Sequence, residues 1–185
     1  MNATTLSRAA AAPLSRARLV LGILKLRIAV LIMVTALGGM AIVPGGSLVG
    51  SLGLWPTLVL ALSVLLASAA AGAFNQFAEA DSDRLMKRTR TRAFASGALP
   101  TSRTWLCAIV ALLVLAVGAA AVVVNVTAAG FVLAGALTYA GLYTLGLKRR
   151  TAWNIVIGGL AGSFAVLAGA AAVDPQIGPL AWLLA

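Results

Sequence analysis

Residues 54–83 read LWPTLVLALSVLLASAAAGAFNQFAEADSD. Up to residue 77 the run carries no charged side chain, and it is as long as the roughly 20 residues a helix needs to cross a bilayer. Backbone N–H and C=O groups cannot stay unpaired in hydrocarbon, so a spanning segment is a helix or part of a closed barrel. Barrel strands are shorter and alternate apolar with polar positions. The unbroken run therefore selects a helix, and that helix passes straight into a cluster of acids.

Further spans lie on both sides of it. Residues 20–43 form one, with Lys25 and Arg27 near its start and Pro44-Gly45-Gly46 breaking it. Residues 105–124 form another. Asn125 marks a tight reversal into 126–147, which Lys148-Arg149-Arg150 stops. The last full span is 153–173, followed by turn signals at Asp174-Pro175 and Gly178-Pro179 and an apolar stretch at 180–185. The expected fold is all-α: a polytopic transmembrane helical bundle with five full spans and the start of a sixth, over residues 20–185. Composition agrees, with 62% hydrophobic and 10% charged residues and a mean hydropathy of +1.04, against about 25% charged in a soluble domain. Residues 1–19, rich in Ala, Ser and Thr, read as a disordered cytoplasmic tail, a composition shared with organelle transit peptides.

The charges set an orientation. With the N-terminus inside, all 14 Lys and Arg residues fall in the tail with the start of the first span, in the 79–103 segment, or at Lys148-Arg149-Arg150. The outer loops hold none, which is the positive-inside pattern. The net charge of +10 thus has a cause other than nucleic acid. The basic run from Lys87 to Arg92 has no interleaved aromatics, so nucleic-acid binding is not expected. One cysteine and no histidine leave no intrachain disulfide and no Cys/His metal cluster.

The acids are few. Glu79, Asp81 and Asp83 lie together and Asp174 lies apart. At 100° per residue, Glu79 is about 40° and Asp83 about 80° around a helix from Asn75. These three make one oxygen-rich stripe, while Asp81 faces elsewhere unless the helix ends there. Carboxylates on one face repel, and a hard divalent cation offsets that. Mg²⁺ prefers oxygen ligands and takes one or two carboxylates together with water and phosphate. Asn75, Glu79, Asp81 and Asp83 are thus candidate metal ligands. The following Lys87, Arg88, Arg90 and Arg92 suit a phosphate's remaining charge. The competing reading is a solvated loop of weak ion pairs, which suffices for Asp81, Arg84 and Arg103 taken alone. An amide at the end of an apolar helix is costly unless satisfied, and polar groups at membrane depth mark function, so the stripe reads as a site.

Tyr139 and Tyr143, at i and i+4, share a helix face, with Lys148 about one turn on. Taken alone this is an interfacial aromatic belt with a snorkelling lysine, and Trp55, Trp105 and Trp153 at span ends read the same way. Gly38-Gly39, Gly158-Gly159 and Gly162 permit close approach of helices.

These residues resemble the UbiA superfamily of intramembrane prenyltransferases and, within it, the haem-directed branch of protoheme IX farnesyltransferases. The resemblance rests on Asn75-x-x-x-Glu79-x-Asp81-x-Asp83 with Leu85-Met86-Lys87-Arg88-Thr89 and Arg92. It rests also on Lys148-Arg149-Arg150-Thr151-x-x-Asn154-Ile155-Val156-Ile157-Gly158-Gly159, and on Lys25-Leu26-Arg27 where the family has Lys-Pro-Arg. It implies an enzyme that moves a farnesyl group from farnesyl diphosphate to a vinyl carbon of haem b, giving haem O. Mg²⁺ would bridge Asn75, Glu79 and Asp83 to the diphosphate. Lys87, Arg88, Arg92 and Lys148 would neutralise the leaving group, and Tyr143 would present its ring to the allylic cation. Haem b is then substrate rather than cofactor. The short tail favours a bacterial plasma membrane over an organelle's inner membrane, which stays open, and the resemblance implies haem A synthase or oxidase assembly factors as partners.

The sequence also departs from the family. A second aspartate-rich motif and a His-Phe-Trp stretch are absent, and Arg92-Ala93-Phe94-Ala95 stands where the family has Arg-Pro-Leu-Pro. The chain therefore reads as the N-terminal part of such an enzyme, not expected to be active alone. A UbiA-type enzyme for another aromatic acceptor and an inactive truncated membrane subunit remain open beside the haem reading.

Overall fold

Helix formation follows the apolar runs, with breaks where caps and backbone conformation impose them. The computed structural model describes residues 16–44, 52–147 and 153–185. Its helices are α1 (Arg16–Ile23), α2 (Leu26–Ala41), α3 (Leu54–Ala78), the short α4 (Ala80–Leu85), α5 (Arg103–Val123), α6 (Val126–Leu137), α7 (Asn154–Val173) and α8 (Pro179–Leu184), with a π-helix, Thr138–Leu147, continuing α6. No strand occurs among the described residues. By length and composition four helices can cross a membrane, and a fifth span results if α1 and α2 count as one. The fold is the expected all-α bundle.

The first span differs from expectation. The run at 20–43 is not one straight helix: α1 and α2 meet at 45°. The cause is Lys25, whose backbone is left-handed at φ 46° and ψ 46°. A left-handed residue ends the helical hydrogen-bond ladder, and for an L-residue with a Cβ it costs roughly 1–2 kcal/mol. Helix α1 starts at Arg16, inside the stretch read as a tail, while residues 1–15 and Lys148 lie outside the described residues.

Caps account for the other boundaries. Ser102 accepts a hydrogen bond from the Trp105 N–H at the start of α5. Asn125 accepts one from the Ala128 N–H at 2.8 Å and opens α6. Its amide also donates to the Ala171 carbonyl at 2.9 Å, so the reversal is stitched to α7. Pro179 opens α8, where its missing N–H costs nothing.

Small residues form the centre of the bundle. Ala36, Ala168, Ala170 and Ala171 are fully buried, as are Met40 and Leu60. Lipid tails are as apolar as leucine, so helices associate by close fit rather than by escape from water. The tightest approach joins α2 to α7. A Cβ on Gly39 would overlap the Val166 carbonyl, and one on Gly169 would overlap the Ala36 carbonyl. Gly38, Gly159 and Gly162, also read as contact glycines, have open space at that position. Leu31, Val114, Leu115 and Val122 point outward, as lipid-facing residues do.

The 79–103 segment is not a plain solvated loop. Phe94 is fully buried, and its ring packs edge-on against Phe77 at 5.6 Å and Trp105 at 5.9 Å. Trp105 therefore anchors this segment in addition to marking a span end. Trp55 and Trp153 remain exposed.

Candidate functional site

The site begins where α3 ends. Glu79 separates α3 from α4, yet the i to i+4 ladder runs through: the Glu79 N–H reaches the Asn75 carbonyl at 3.1 Å and the Asp83 N–H the Glu79 carbonyl at 2.8 Å. Helical spacing therefore survives the boundary, and Asn75, Glu79 and Asp83 share a face. All three are buried, at 2%, 5% and 3% exposure. Asp81 is not brought to them. It lies on the exposed side and pairs with Arg84 at 3.0 Å.

A polar network holds the stripe. The Asn75 amide nitrogen donates to Glu79 Oε2 at 3.0 Å and to Thr144 Oγ1 at 3.2 Å. Its carbonyl oxygen accepts from Lys25 Nζ at 2.7 Å, and the same ammonium group donates to the Tyr139 hydroxyl at 3.3 Å. Asp83 pairs with Arg92 at 2.8 Å, and the Thr89 hydroxyl donates to the Asp83 backbone carbonyl. Of the basic residues read as diphosphate ligands, Arg92 is thus placed on Asp83. Lys87 and Arg88 are exposed at the surface just beyond α4.

Tyr139 and Tyr143 stack with ring centres 5.3 Å apart, so they do share a face. The π-helix decides what else reaches the site. Within it the Thr144 hydroxyl donates to the Tyr139 carbonyl at 2.8 Å and accepts from the Asn75 amide at 3.2 Å. Thr144 is thereby turned toward Asn75. Tyr143 lies against Gly158, where an added Cβ would come within 2.9 Å of the ring.

Beside this network is an apolar cavity of about 270 Å³ between α2, α3, α6 and α7. Along α3 its wall runs from Gly72 back to Val64, which carries it about 16 Å from the level of Asn75 at the helical rise. Lys25 is its one charged lining residue among those described, with Tyr139 beside it. A second cavity of about 410 Å³ lies on the other side of Lys25 and is lined by Arg18, Gln76, Thr91 and Arg92. Lys25, Thr144 and Gln76 are the members that the sequence did not single out for the site. Gln76 donates to the Gly22 and Ile23 carbonyls at 3.1 Å and ties α1 to α3. Its signal was available: an amide next to Asn75 in an apolar run needs partners.

No three Asp, Glu, His or Cys side chains gather as a self-sufficient metal site among the described residues. Two buried carboxylates with an amide oxygen do match the donor set of Mg²⁺, which completes its shell with water and phosphate. In the structure the amide oxygen is held by Lys25 and Asp83 by Arg92, so the donor types suit a metal that arrives with a diphosphate to draw those cations away.

Comparison with known proteins bears on this arrangement. The chain is 48% identical over 163 residues to protoheme IX farnesyltransferase 2 of Paramagnetospirillum magneticum, covering 88% of this chain and 55% of that protein. It is 41% identical to a protoheme IX farnesyltransferase of a Synechococcus species, covering 89% of this chain and 49% of that one. For the protoheme IX farnesyltransferase of Anaplasma marginale the figures are 40%, 82% and 48%. The chain thus spans about half the length of the curated relatives it matches. No solved structure matches it. The profile of the UbiA prenyltransferase family matches residues 32–185, and the chain belongs to that family of integral membrane proteins.

Proposed function

We propose that the chain takes part in transferring a farnesyl group from farnesyl diphosphate to haem b, giving haem O. The observation that carries this reading is Lys25. It is the charged residue of an otherwise apolar cavity, one hydrogen bond from the buried Asn75–Glu79 pair. A cavity of that kind suits an amphiphile with a long apolar tail and an anionic head. The names of the relatives supply the acceptor.

In this reading Glu79, Asp83 and the Asn75 carbonyl oxygen hold Mg²⁺, and Asp81 stays at the surface. When bound, Mg²⁺ supplies Lewis-acid neutralisation of charge on the diphosphate. Arg92, already on Asp83, meets the diphosphate's remaining charge, and the resemblance assigns Lys87, Arg88 and Lys148 to the same charge. The bond between the allylic carbon and oxygen breaks with its electron pair on oxygen, where fixed positive groups stabilise it. The haem vinyl group supplies the electrons of the new C–C bond, and water quenches the electron-poor carbon and releases a proton. Tyr139 lines the apolar cavity and Tyr143 is stacked behind it; the ring that the resemblance assigns to the allylic cation is that of Tyr143. The positive-inside pattern supports placing this chemistry on the cytoplasmic side of the membrane, and the bacterial relatives support a plasma membrane.

The test is to express the full reading frame that encodes this chain in a strain lacking haem O synthesis and to analyse extracted haems by mass. Appearance of haem O is expected. Unmodified haem b, with another aromatic acceptor prenylated instead, would transfer the assignment to that acceptor.

A further inference from the structure

We propose that Lys25 is a diphosphate-contacting residue whose ammonium group moves from the Asn75 amide oxygen to the donor's diphosphate on binding. This rests on the functional reading above. The sequence places Lys25 near the start of the first span, in the Lys25-Leu26-Arg27 stretch, without assigning it to the site. The left-handed backbone at φ 46° changes that: it bends α1 away from α2 and sends the side chain inward. The stem then runs past Gly72, where a Cβ would lie 3.5 Å from it. Nζ arrives 2.7 Å from Asn75 Oδ1, 3.3 Å from the Tyr139 hydroxyl and 5.7 Å from the centre of the Tyr139 ring. Lys25 lines both the apolar and the basic cavity, so the head of any chain lying in the first must pass it.

The conflict lies at one atom. Asn75 Oδ1 is the oxygen that the Mg²⁺ reading needs, and Lys25 occupies it. Two cations on one amide oxygen repel, and in a buried setting the repulsion is weakly screened. A diphosphate resolves the conflict, because it brings anionic oxygens that an ammonium on a flexible four-carbon stem can reach. Lys25 would then meet the charge that develops on the leaving oxygen, at the end of the apolar cavity where the allylic carbon sits. The Tyr139 hydroxyl keeps hold of the ammonium group in either position.

The two affinities should therefore move in opposite directions when the charge is removed. The purified protein in detergent is titrated calorimetrically, first with Mg²⁺ alone and then with farnesyl diphosphate at saturating Mg²⁺. Lys25→Met is expected to bind Mg²⁺ more tightly than the wild type and farnesyl diphosphate about tenfold more weakly, the loss of one charge-assisted hydrogen bond. Lys25→Gly, which suits the left-handed backbone, should show the same split, and Lys25→Arg should keep most of the diphosphate affinity. Both affinities falling together in the Met and Gly variants would make Lys25 a structural strut and overturn the proposal, as would no change in either. A wild-type protein that binds no diphosphate overturns the functional reading itself, whereas normal binding with unaltered variants overturns the Lys25 role alone.

Discussion

Asp83 and Asp81 sit two positions apart and have opposite fates. Asp83 is 3% exposed and paired to Arg92, while Asp81 has a side chain 95% exposed in a surface pair with Arg84. Asp83 is buried while Arg92 keeps a quarter of its side chain exposed, so losing this charge-assisted hydrogen bond costs about 1.5–3 kcal/mol. Asp83→Asn should therefore lower the unfolding free energy by about that much, whereas Asp81→Asn should change it by less than about 0.5 kcal/mol. Denaturant unfolding in detergent compares the two, and equal effects would contradict the placement. The stripe itself was legible because its spacing is helical and the ladder persists through Glu79. Lys25 was not. Its partners are 50 and 114 positions away, and no periodicity encodes a single left-handed residue. Thr144 escaped for a similar reason, since its approach to Asn75 depends on a π-helical register that hydropathy does not reveal.

Among the helices, the α2–α7 contact is the most demanding. Gly39→Ala and Gly169→Ala each drive a methyl group into a carbonyl of the facing helix, and overpacking of this kind costs about 1–3 kcal/mol. Gly38→Ala, with open space at that position, should cost nothing measurable, and thermal unfolding of the three variants separates the cases. Gly158→Ala acts differently, because its methyl group meets the Tyr143 ring. It should weaken the Tyr139–Tyr143 stack and lower the affinity for farnesyl diphosphate with little effect on Mg²⁺ binding, which calorimetric titration of the variant reads. Existence and order of the spans were legible from apolar length alone. The bend at Lys25, the π-helix and the fold-back at Phe94 were not, because each depends on backbone conformation or on a contact between distant segments. Which glycines touch a neighbour was equally hidden: Gly39 does and Gly38 does not, although the sequence offers them as a pair.

For the chain as a whole, the charge pattern predicts a topology that the packed helices do not themselves fix. Ala98→Cys and Gln176→Cys, both at exposed positions on opposite sides of the expected membrane, test it in a Cys107→Ser background. A membrane-impermeant maleimide should label Gln176→Cys in intact cells and Ala98→Cys only after permeabilisation; the reverse pattern would put the acid cluster on the outer face. The chemistry assigned to that cluster rests on its taking a metal-bound diphosphate. Equilibrium binding of radiolabelled farnesyl diphosphate to the purified protein, with Mg²⁺ and with chelator, measures this for the wild type and for Glu79→Gln. Saturable binding that needs Mg²⁺ and is lost in the variant is expected. Binding of equal strength in chelator, or undiminished in Glu79→Gln, would contradict it.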